Sequence, residues 1–407
     1  MPEILTPQNQ DDLLAIVQEA VAGECPLEVT GSGSKWQWGR AVNSDFQLDL
    51  SGLTGISLYE PAELVLSAAA ATPIEEIIRM LDENSQLLAF EPPDLTGLYG
   101  EEGGSGTLGG VIACNHSGPR RIYAGAARDH ILGFEAVSGR GEIFKSGGRV
   151  VKNVTGFDLS KLMAGSFGTL AVMTTVTVKV MPKPDKARTI LIYALSNEAG
   201  GQAMARALQS PYAVDGAAHL PAALSAKSSV SYVAGAAAAV TAIRIQGPAP
   251  SVEARCRALR EALARFGETE ELHGHNSRTL WQEIRDVSTF FDDHEKCIWR
   301  LSVPPAYGAG VADQIVATES GQTYFDWGGG LIWLAQEDVT AESALGLRKI
   351  VDEPGGHATL MRASSEIRAS VPVFHPQPEH VAGLTKRLKE NFDPKGVLNP
   401  GRMYEAV

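Results

Sequence analysis

Residues 105–118 read Ser105-Gly106-Thr107-Leu108-Gly109-Gly110-Val111-Ile112-Ala113-Cys114-Asn115-His116-Ser117-Gly118. Glycine at 106, 109 and 110 removes the side chains that would hold another molecule at a distance, and bare N–H groups in such a loop converge on anionic oxygens. A stretch of this kind suits the pyrophosphate of a dinucleotide. Two further loops share its character. Thr30-Gly31-Ser32-Gly33-Ser34-Lys35 lies upstream and Gly165-Ser166-Phe167-Gly168-Thr169-Leu170 downstream, each beside an apolar run of strand character. Taken singly, each is also an ordinary turn, because glycine is the default turn residue. Three together point to one large ligand.

Gly104-Ser105-Gly106-Thr107-Leu108-Gly109 formally matches G-x-G-x-x-G, and Asp129 falls 20 residues after Gly109. A Rossmann fingerprint needs a strand immediately before its glycines and a helix opening on them. Here the glycines follow a polar, acidic turn, Gly100-Glu101-Glu102-Gly103, and Asn115 to Pro119 would stop a helix within three turns. The Rossmann reading fails this context test.

The 407 residues exceed the length at which single cores split, so two domains are expected. A composition of 44% hydrophobic and 20% charged residues describes an ordinary globular chain with ample core. The net charge of −13, with no basic tract interleaved with aromatics, argues against nucleic acid as a partner. No apolar run is long enough to span a bilayer, and the Met1-Pro2-Glu3 start lacks a signal peptide's pattern, so a cytoplasmic setting is expected. Cys25, Cys114, Cys256 and Cys297 are far apart with no C-x-x-C, which predicts free buried thiols, no metal site and no iron–sulfur cluster on this chain.

The first half alternates short strands and capped helices. Thr6-Pro7 predicts a helix start, with Thr6 as cap and Leu13, Leu14, Val17, Ala20 and Val21 as the apolar face. Strands are expected over Leu27–Thr30, Phe46–Leu50, Glu63–Ala71, Ile131–Ser138, Glu142–Phe144 and Thr169–Met181. Thr72-Pro73-Ile74-Glu75 predicts a capping box opening a helix to about Asn84. After Pro182-Lys183-Pro184, alanine-rich helices such as Ser251–Phe266 alternate with strands at Ile190–Ala194, Ala242–Gln246, Ile298–Val303 and Leu331–Leu334. The tail from Glu379 predicts a basic amphipathic helix whose Lys386, Arg387 and Lys389 form a solvated face.

These motifs, taken in order with Arg128-Asp129-His130-Ile131-Leu132-Gly133, resemble the FAD-binding fold of the vanillyl-alcohol oxidase and p-cresol methylhydroxylase (PCMH) family. Lys152-Asn153-Val154-Thr155-Gly156-Phe157-Asp158-Leu159 and Asp393 to Gly401 are similar to segments of flavin-dependent D-2-hydroxyacid dehydrogenases. Ser117-Gly118-Pro119-Arg120-Arg121, Leu162 to Ser166 and Asn399-Pro400-Gly401-Arg402-Met403-Tyr404 narrow the resemblance to the FAD-binding E subunits of bacterial glycolate oxidase (glycolate dehydrogenase). The resemblance covers residues 1–182 and 385–407 well and the middle weakly. It implies an α+β chain in three parts: a PCMH-type FAD-binding domain of two α/β subdomains over residues 1–183, an α+β cap-like domain over 184–378, and a C-terminal segment, 379–407, that packs back on the FAD domain. By the same resemblance, Gly31, Ser32, Gly33, Ser34, Lys35 and Trp36 would wrap the pyrophosphate, while Thr107, Gly109 and Gly110 would touch pyrophosphate and flavin. Asn115, Ser117 and Gly118 would lie along the isoalloxazine and ribityl, Gly165, Gly168, Thr169 and Leu170 would form the adenosine-side loop, and Asn399 would reach back to the flavin. Relatives with covalent flavin often carry a histidine in the first loop; here Ser32, Ser34 and Lys35 stand there, so FAD is expected to be non-covalent. Cys114 and His116 are the covalent candidates, otherwise a buried thiol and a partly exposed imidazole.

Oxidising a 2-hydroxy acid takes a hydride acceptor, a base and a cation for the carboxylate. Catalytic relatives place a Gly-Asp-Gly-Asn-x-His-like stretch in the second domain; the comparable Phe325-Asp326-Trp327-Gly328-Gly329-Gly330 has no histidine. The catalytic candidates are His375 as a base and Arg300 or Arg362 as carboxylate holders. His273 and His275 would share one face of a strand, but Gly274 between them favours a turn, and His294 sits in a charged, hydrated segment. Trp327 and Trp333 are read as core, or as neighbours of the flavin. The favoured function is an FAD-carrying, electron-handling or supporting subunit of a glycolate-oxidising complex. Its partners would be a catalytic FAD-containing paralogue and an iron–sulfur subunit, its site cytoplasmic, with any contact to the inner membrane made through the complex. The competing readings are a self-sufficient FAD-dependent 2-hydroxyacid dehydrogenase, reduction of an enolpyruvyl sugar nucleotide by NADPH, and a non-catalytic scaffold.

Overall fold

The computed structural model describes residues 2–100, 104, 106–149, 156–405 and 407; Ser105 and the quoted segment Lys152 to Thr155 lie outside the described residues. Near the N-terminus, Glu3–Leu5, Phe46–Asp49 and Leu27–Thr30 form a parallel three-stranded sheet with Phe46–Asp49 in the middle. The helix Gln10–Gly23 buries Leu13, Val17 and Ala20 against Leu27 and Leu48. It opens at Asn9, and not at Thr6 as the Thr-Pro pair predicts: the Asn9 side chain accepts the Asp12 N–H at 2.9 Å, and Asp11 and Asp12 favour the positive end of the helix.

Five antiparallel strands make a second sheet in the order Ile56–Glu60, Val65–Ala69, Ala171–Lys179, Ile131–Ser138, Ile143–Gly147. Against it packs the helix Ile74–Glu83, whose buried residues Ile74, Ile77 and Leu81 recur at helical spacing. Its expected capping box is not made. Thr72 spends its hydroxyl on the backbone of Gly55, accepting from the N–H at 3.0 Å and donating to the carbonyl at 3.2 Å. The backbone here holds the central glycine loop instead: Leu108 N–H donates to Thr72 O, Gly109 N–H to Ala70 O and Ile74 N–H to Gly106 O.

From Lys186 onward the chain builds one antiparallel eight-stranded sheet. Its order is Thr269–His273, Lys186–Tyr193, Val240–Gly247, Val214–Leu220, Gln322–Asp326, Leu331–Gln336, Cys297–Ser302, His357–Arg362. Alternation along each strand splits its residues between two cores. Ile190, Ile192, Trp299 and Leu301 pack under the helices Asn197–Leu208, Ala249–Leu263, Gly308–Glu319 and Ala341–Asp352. Leu191, Ile298 and Trp333 face the first half and share a core with Trp38, Leu98 and Tyr99. Four of the eight strands escape the sequence reading. Val214–Leu220, for example, is buried at every position and holds Asp, Gly and two Ala, so it shows neither alternation nor β-branched enrichment.

The final helix, Glu379–Phe392, corrects one expectation. Lys389 is not on a solvated face; it is 5% exposed. Beyond the helix, the tail pairs with the first sheet through Leu27 and Leu398, with Leu27 N–H donating to Val397 O and Asn399 N–H to Leu27 O. No helix among the described residues is long and apolar enough to cross a membrane.

Candidate functional site

Between the two sheets of the first half lies a cavity with about 820 Å³ of open space. All three small-residue loops meet in it. Gly31 to Trp36 contribute the first wall, Thr107, Gly109, Gly110 and Cys114 the second, Phe167 and Gly168 the third, with Asn399 closing one side. The sequence-nominated residues Asn115, Ser117, Gly118, Gly165, Thr169 and Leu170 do not line the cavity. They hold the loops from behind. Asn115 accepts the Arg128 N–H, Ser117 Oγ accepts the Ala127 N–H, Gly165 N–H donates to Ile112 O, and the Thr169 hydroxyl donates to Ser166 O. Leu170 is core, and Gly118 N–H donates to Phe90 O.

The glycines are required by close approach. A Cβ on Gly31 would sit 2.9 Å from Thr107 Oγ1, and one on Gly109 would sit 2.8 Å from Ala70 Cβ and 2.9 Å from its carbonyl oxygen. Gly106 has φ +88, and a Cβ there would collide with Lys35 Nζ and Ser34 Oγ. Asn399 joins two loops: its side chain accepts the Val29 N–H at 2.8 Å and donates to Phe167 O at 2.8 Å. Arg402, part of the Asn399-Pro400-Gly401-Arg402 motif but not among the residues expected at the cofactor, lines the cavity. It donates to the carbonyls of Lys35 and Trp36 and pairs with Glu28 at 3.2 Å. The walls from Ala171 to Met173 carry no local signal at all; only sheet packing brings them here.

The electrostatics of this cavity call for an anion. The N–H groups of Ser32, Gly33, Ser34 and Lys35 donate to no acceptor among the described residues. Lys35 is half-buried and its one hydrogen bond goes to Ser34 Oγ at 3.2 Å, while desolvation lowers its pKa. A run of free N–H groups beside an under-compensated ammonium fits a dinucleotide pyrophosphate. The two covalent candidates exchange the environments the sequence suggests. Cys114 is half-buried and lines the cavity, its thiol pushed up to about 11 by desolvation, whereas His116 is 4% exposed. Both ring nitrogens of His116 lack a hydrogen-bond partner, and its ring centroid is 4.9 Å from that of Trp38. Desolvation, then Lys35 and Arg300, hold its pKa well below the usual histidine value.

The three catalytic candidates part company. Arg362 spends its guanidinium on the carbonyls of Leu98, Phe290, Asp293 and Lys296. In His375, Nδ1 accepts the Ala358 N–H at 3.2 Å and Nε2 lies 2.7 Å from Asp352 Oδ1, which occupies both nitrogens. Arg300 makes no hydrogen bond or ion pair among the described residues and lies with its guanidinium carbon 5.0 Å from the Trp327 ring centroid. His273 ends a strand and Gly274, at φ +44, opens the helix Gly274–Asp286, so the two nearby histidines straddle a corner. His294 is exposed.

Residues 2–147 match the family described as "FAD binding domain". The chain is 35% identical over 397 residues to the glycolate oxidase subunit GlcE of Escherichia coli (strain K12), covering 97% of each chain. It is 29% identical to the glycolate oxidase subunit GlcD of Bacillus subtilis (strain 168), over 47% of this chain and 39% of that one. Among solved structures, p-cresol methylhydroxylase with substrate bound superposes with a TM-score of 0.72 at 13% identity, over 98% of this chain and 88% of that one. Fold and cavity together therefore define an FAD-binding oxidoreductase with the PCMH-type fold. Within that class, the chain belongs to the family of the glycolate oxidase subunit GlcE.

Proposed function

We propose that this chain is the FAD-carrying subunit of a complex that oxidises glycolate to glyoxylate. The observation that carries this reading is the GlcE match at 97% of both chains, set against matches to GlcD that stop at about half of this one. In the complex the chain would work beside a catalytic FAD-containing paralogue and an iron–sulfur subunit, in the cytoplasm, touching the inner membrane only through its partners. Gly31 to Trp36, Thr107, Gly109 and Gly110 would hold the cofactor, with Lys35 and the loop N–H groups on the pyrophosphate. FAD, when bound, supplies a site that accepts and passes on electrons. The 325–330 segment favours a supporting rather than self-sufficient role, because this stretch, comparable to the histidine-bearing motif of catalytic relatives, carries no histidine; Trp327 lies within it. Its indole N–H donates to Gly118 O at 3.0 Å.

The test is a visible spectrum of the purified chain, before and after anaerobic glycolate. Flavin bands that stay unbleached with glycolate alone, and bleach once the partner subunits are added, are expected. Bleaching of the isolated chain would replace this reading with a self-sufficient dehydrogenase, and a chain that takes up no FAD would remove it altogether.

A further inference from the structure

Where the eight-stranded sheet faces the FAD-binding half, two arginines share one indole. Arg121, on the short helix Arg121–Ala124, has its guanidinium carbon 4.3 Å from the Trp327 ring centroid, and Arg300 lies 5.0 Å from the same centroid. Arg300 reaches this face because its strand neighbours Trp299 and Leu301 point into the helical core. Three other arginines of this chain are neutralised or saturated: Arg244 by Glu91 and Asp215, Arg362 by four carbonyls, Arg402 by Glu28 and two carbonyls. Arg121 and Arg300 are neither. Among the described residues their half-buried guanidiniums make no hydrogen bond and no ion pair, and a guanidinium partly withdrawn from water favours an anionic partner.

The surroundings deepen this charge imbalance. The carboxyl of Asp326, adjacent to Trp327, is pushed up to about 7 by burial and spends one oxygen on the Trp327 N–H at 2.7 Å. Arg300 is lowered to about 10 by desolvation and then by Arg121. His357 falls to about 4 through desolvation, then Arg300, His375 and Arg121. Trp327 is tied to the first half, its indole N–H donating to Gly118 O, four residues after the cavity-lining Cys114.

We propose that Arg121 and Arg300, seated on Trp327, form a binding site on this chain for a small carboxylate, either a 2-hydroxy acid or its 2-oxo product. The guanidiniums take the carboxylate. This rests on the proposed function only for the choice of acid. It gives the GlcE-like chain a ligand site of its own, distinct from a purely passive electron relay.

The test is isothermal titration calorimetry of the flavin-loaded chain with glycolate, glyoxylate and sulfate, on the parent, Arg300→Met, Arg300→Lys and Arg121→Met. Expected are about one glycolate or glyoxylate per chain, affinity lowered at least tenfold by either methionine substitution, and partial recovery with lysine at 300. The tighter of the two acids identifies the ligand as substrate or product. Unchanged flavin content and melting temperature show that the variants fold. No measurable binding, binding indifferent to both substitutions, or equal affinity for sulfate would overturn the site. Glycolate turnover by the reconstituted complex, measured on the same preparations, separates the two ideas. An active complex with no acid bound to this chain sinks only the site, whereas a complex whose turnover does not depend on this chain sinks the proposed function.

Discussion

Asp326 shows how one residue can set a pH dependence. Its carboxyl is 2% exposed, and burial raises its pKa from 3.8 to about 7. The folded chain therefore keeps this proton over a range where the unfolded chain has released it. The contribution to stability is whole below pH 4, declines as pH rises, and is lost above about 7. Asp326→Asn retains an acceptor for the Trp327 N–H and cannot ionise. Relative to the parent, the variant is expected to gain about 2–4 kcal/mol between pH 4 and 8. Chemical denaturation at several pH values checks this, and a parent–variant difference that is flat or opposite in sign contradicts it. His219 and His357, each lowered to about 4, act with the reverse slope in both proteins and so cancel from the difference.

At the scale of the element, the C-terminal helix is held from inside. Lys389 Nζ donates to Asp393 at 2.6 Å, to Thr169 O at 2.8 Å and to Leu398 O at 2.7 Å. Asp393 in turn accepts the N–H groups of Val397 and Leu398. One ammonium thus ties the helix, the tail and the third glycine loop. Lys389→Met would leave a buried carboxylate without its cation, which costs about 3–5 kcal/mol. A lower unfolding midpoint with weaker FAD retention is expected, because Asn399 at the tail bridges the first and third loops. Loss of stability without loss of flavin would mean that the tail is not part of the cofactor cradle.

Across the whole molecule, the two halves meet through a charge network as well as an apolar core. Arg244 on the eight-stranded sheet pairs with Asp215 at 2.9 Å and with Glu91 of the first half at 3.0 Å. Glu91 also accepts the Arg120 N–H, at the start of the helix that carries Arg121. Arg244→Met takes the closest cation from Glu91 and from Asp215, which keeps only Arg120 at 3.6 Å, and is expected to cost about 3–5 kcal/mol; Glu91→Gln keeps one neutral acceptor and should cost less. Unfolding midpoints for both variants read this directly. A Glu91→Gln loss near zero would argue that Asp215 alone, and not the link between halves, matters to Arg244.

The cofactor half was legible because its chemistry is local. Backbone N–H groups and glycines act through positions a few residues apart, so the cavity-lining loops Gly31 to Lys35 and Thr107 to Gly110 stand out in order along the chain. Strands rich in β-branched residues, such as Ala171–Lys179, were legible for the same reason. The rest depends on distant contacts. Asn9 outcompetes Thr6 as a helix cap through its own side-chain geometry, and Thr72 is claimed by Gly55 seventeen residues away. Lys389 looks like one more surface lysine until Thr169 and Leu398 converge on it. The pairing of Arg121 with Arg300 over Trp327 joins residues 179 positions apart, and no periodicity along the chain encodes it. Local dihedral freedom and hydrogen-bonding capacity are written in order in the sequence; which charges lose their water, and beside whom, is decided only when the two halves close on each other.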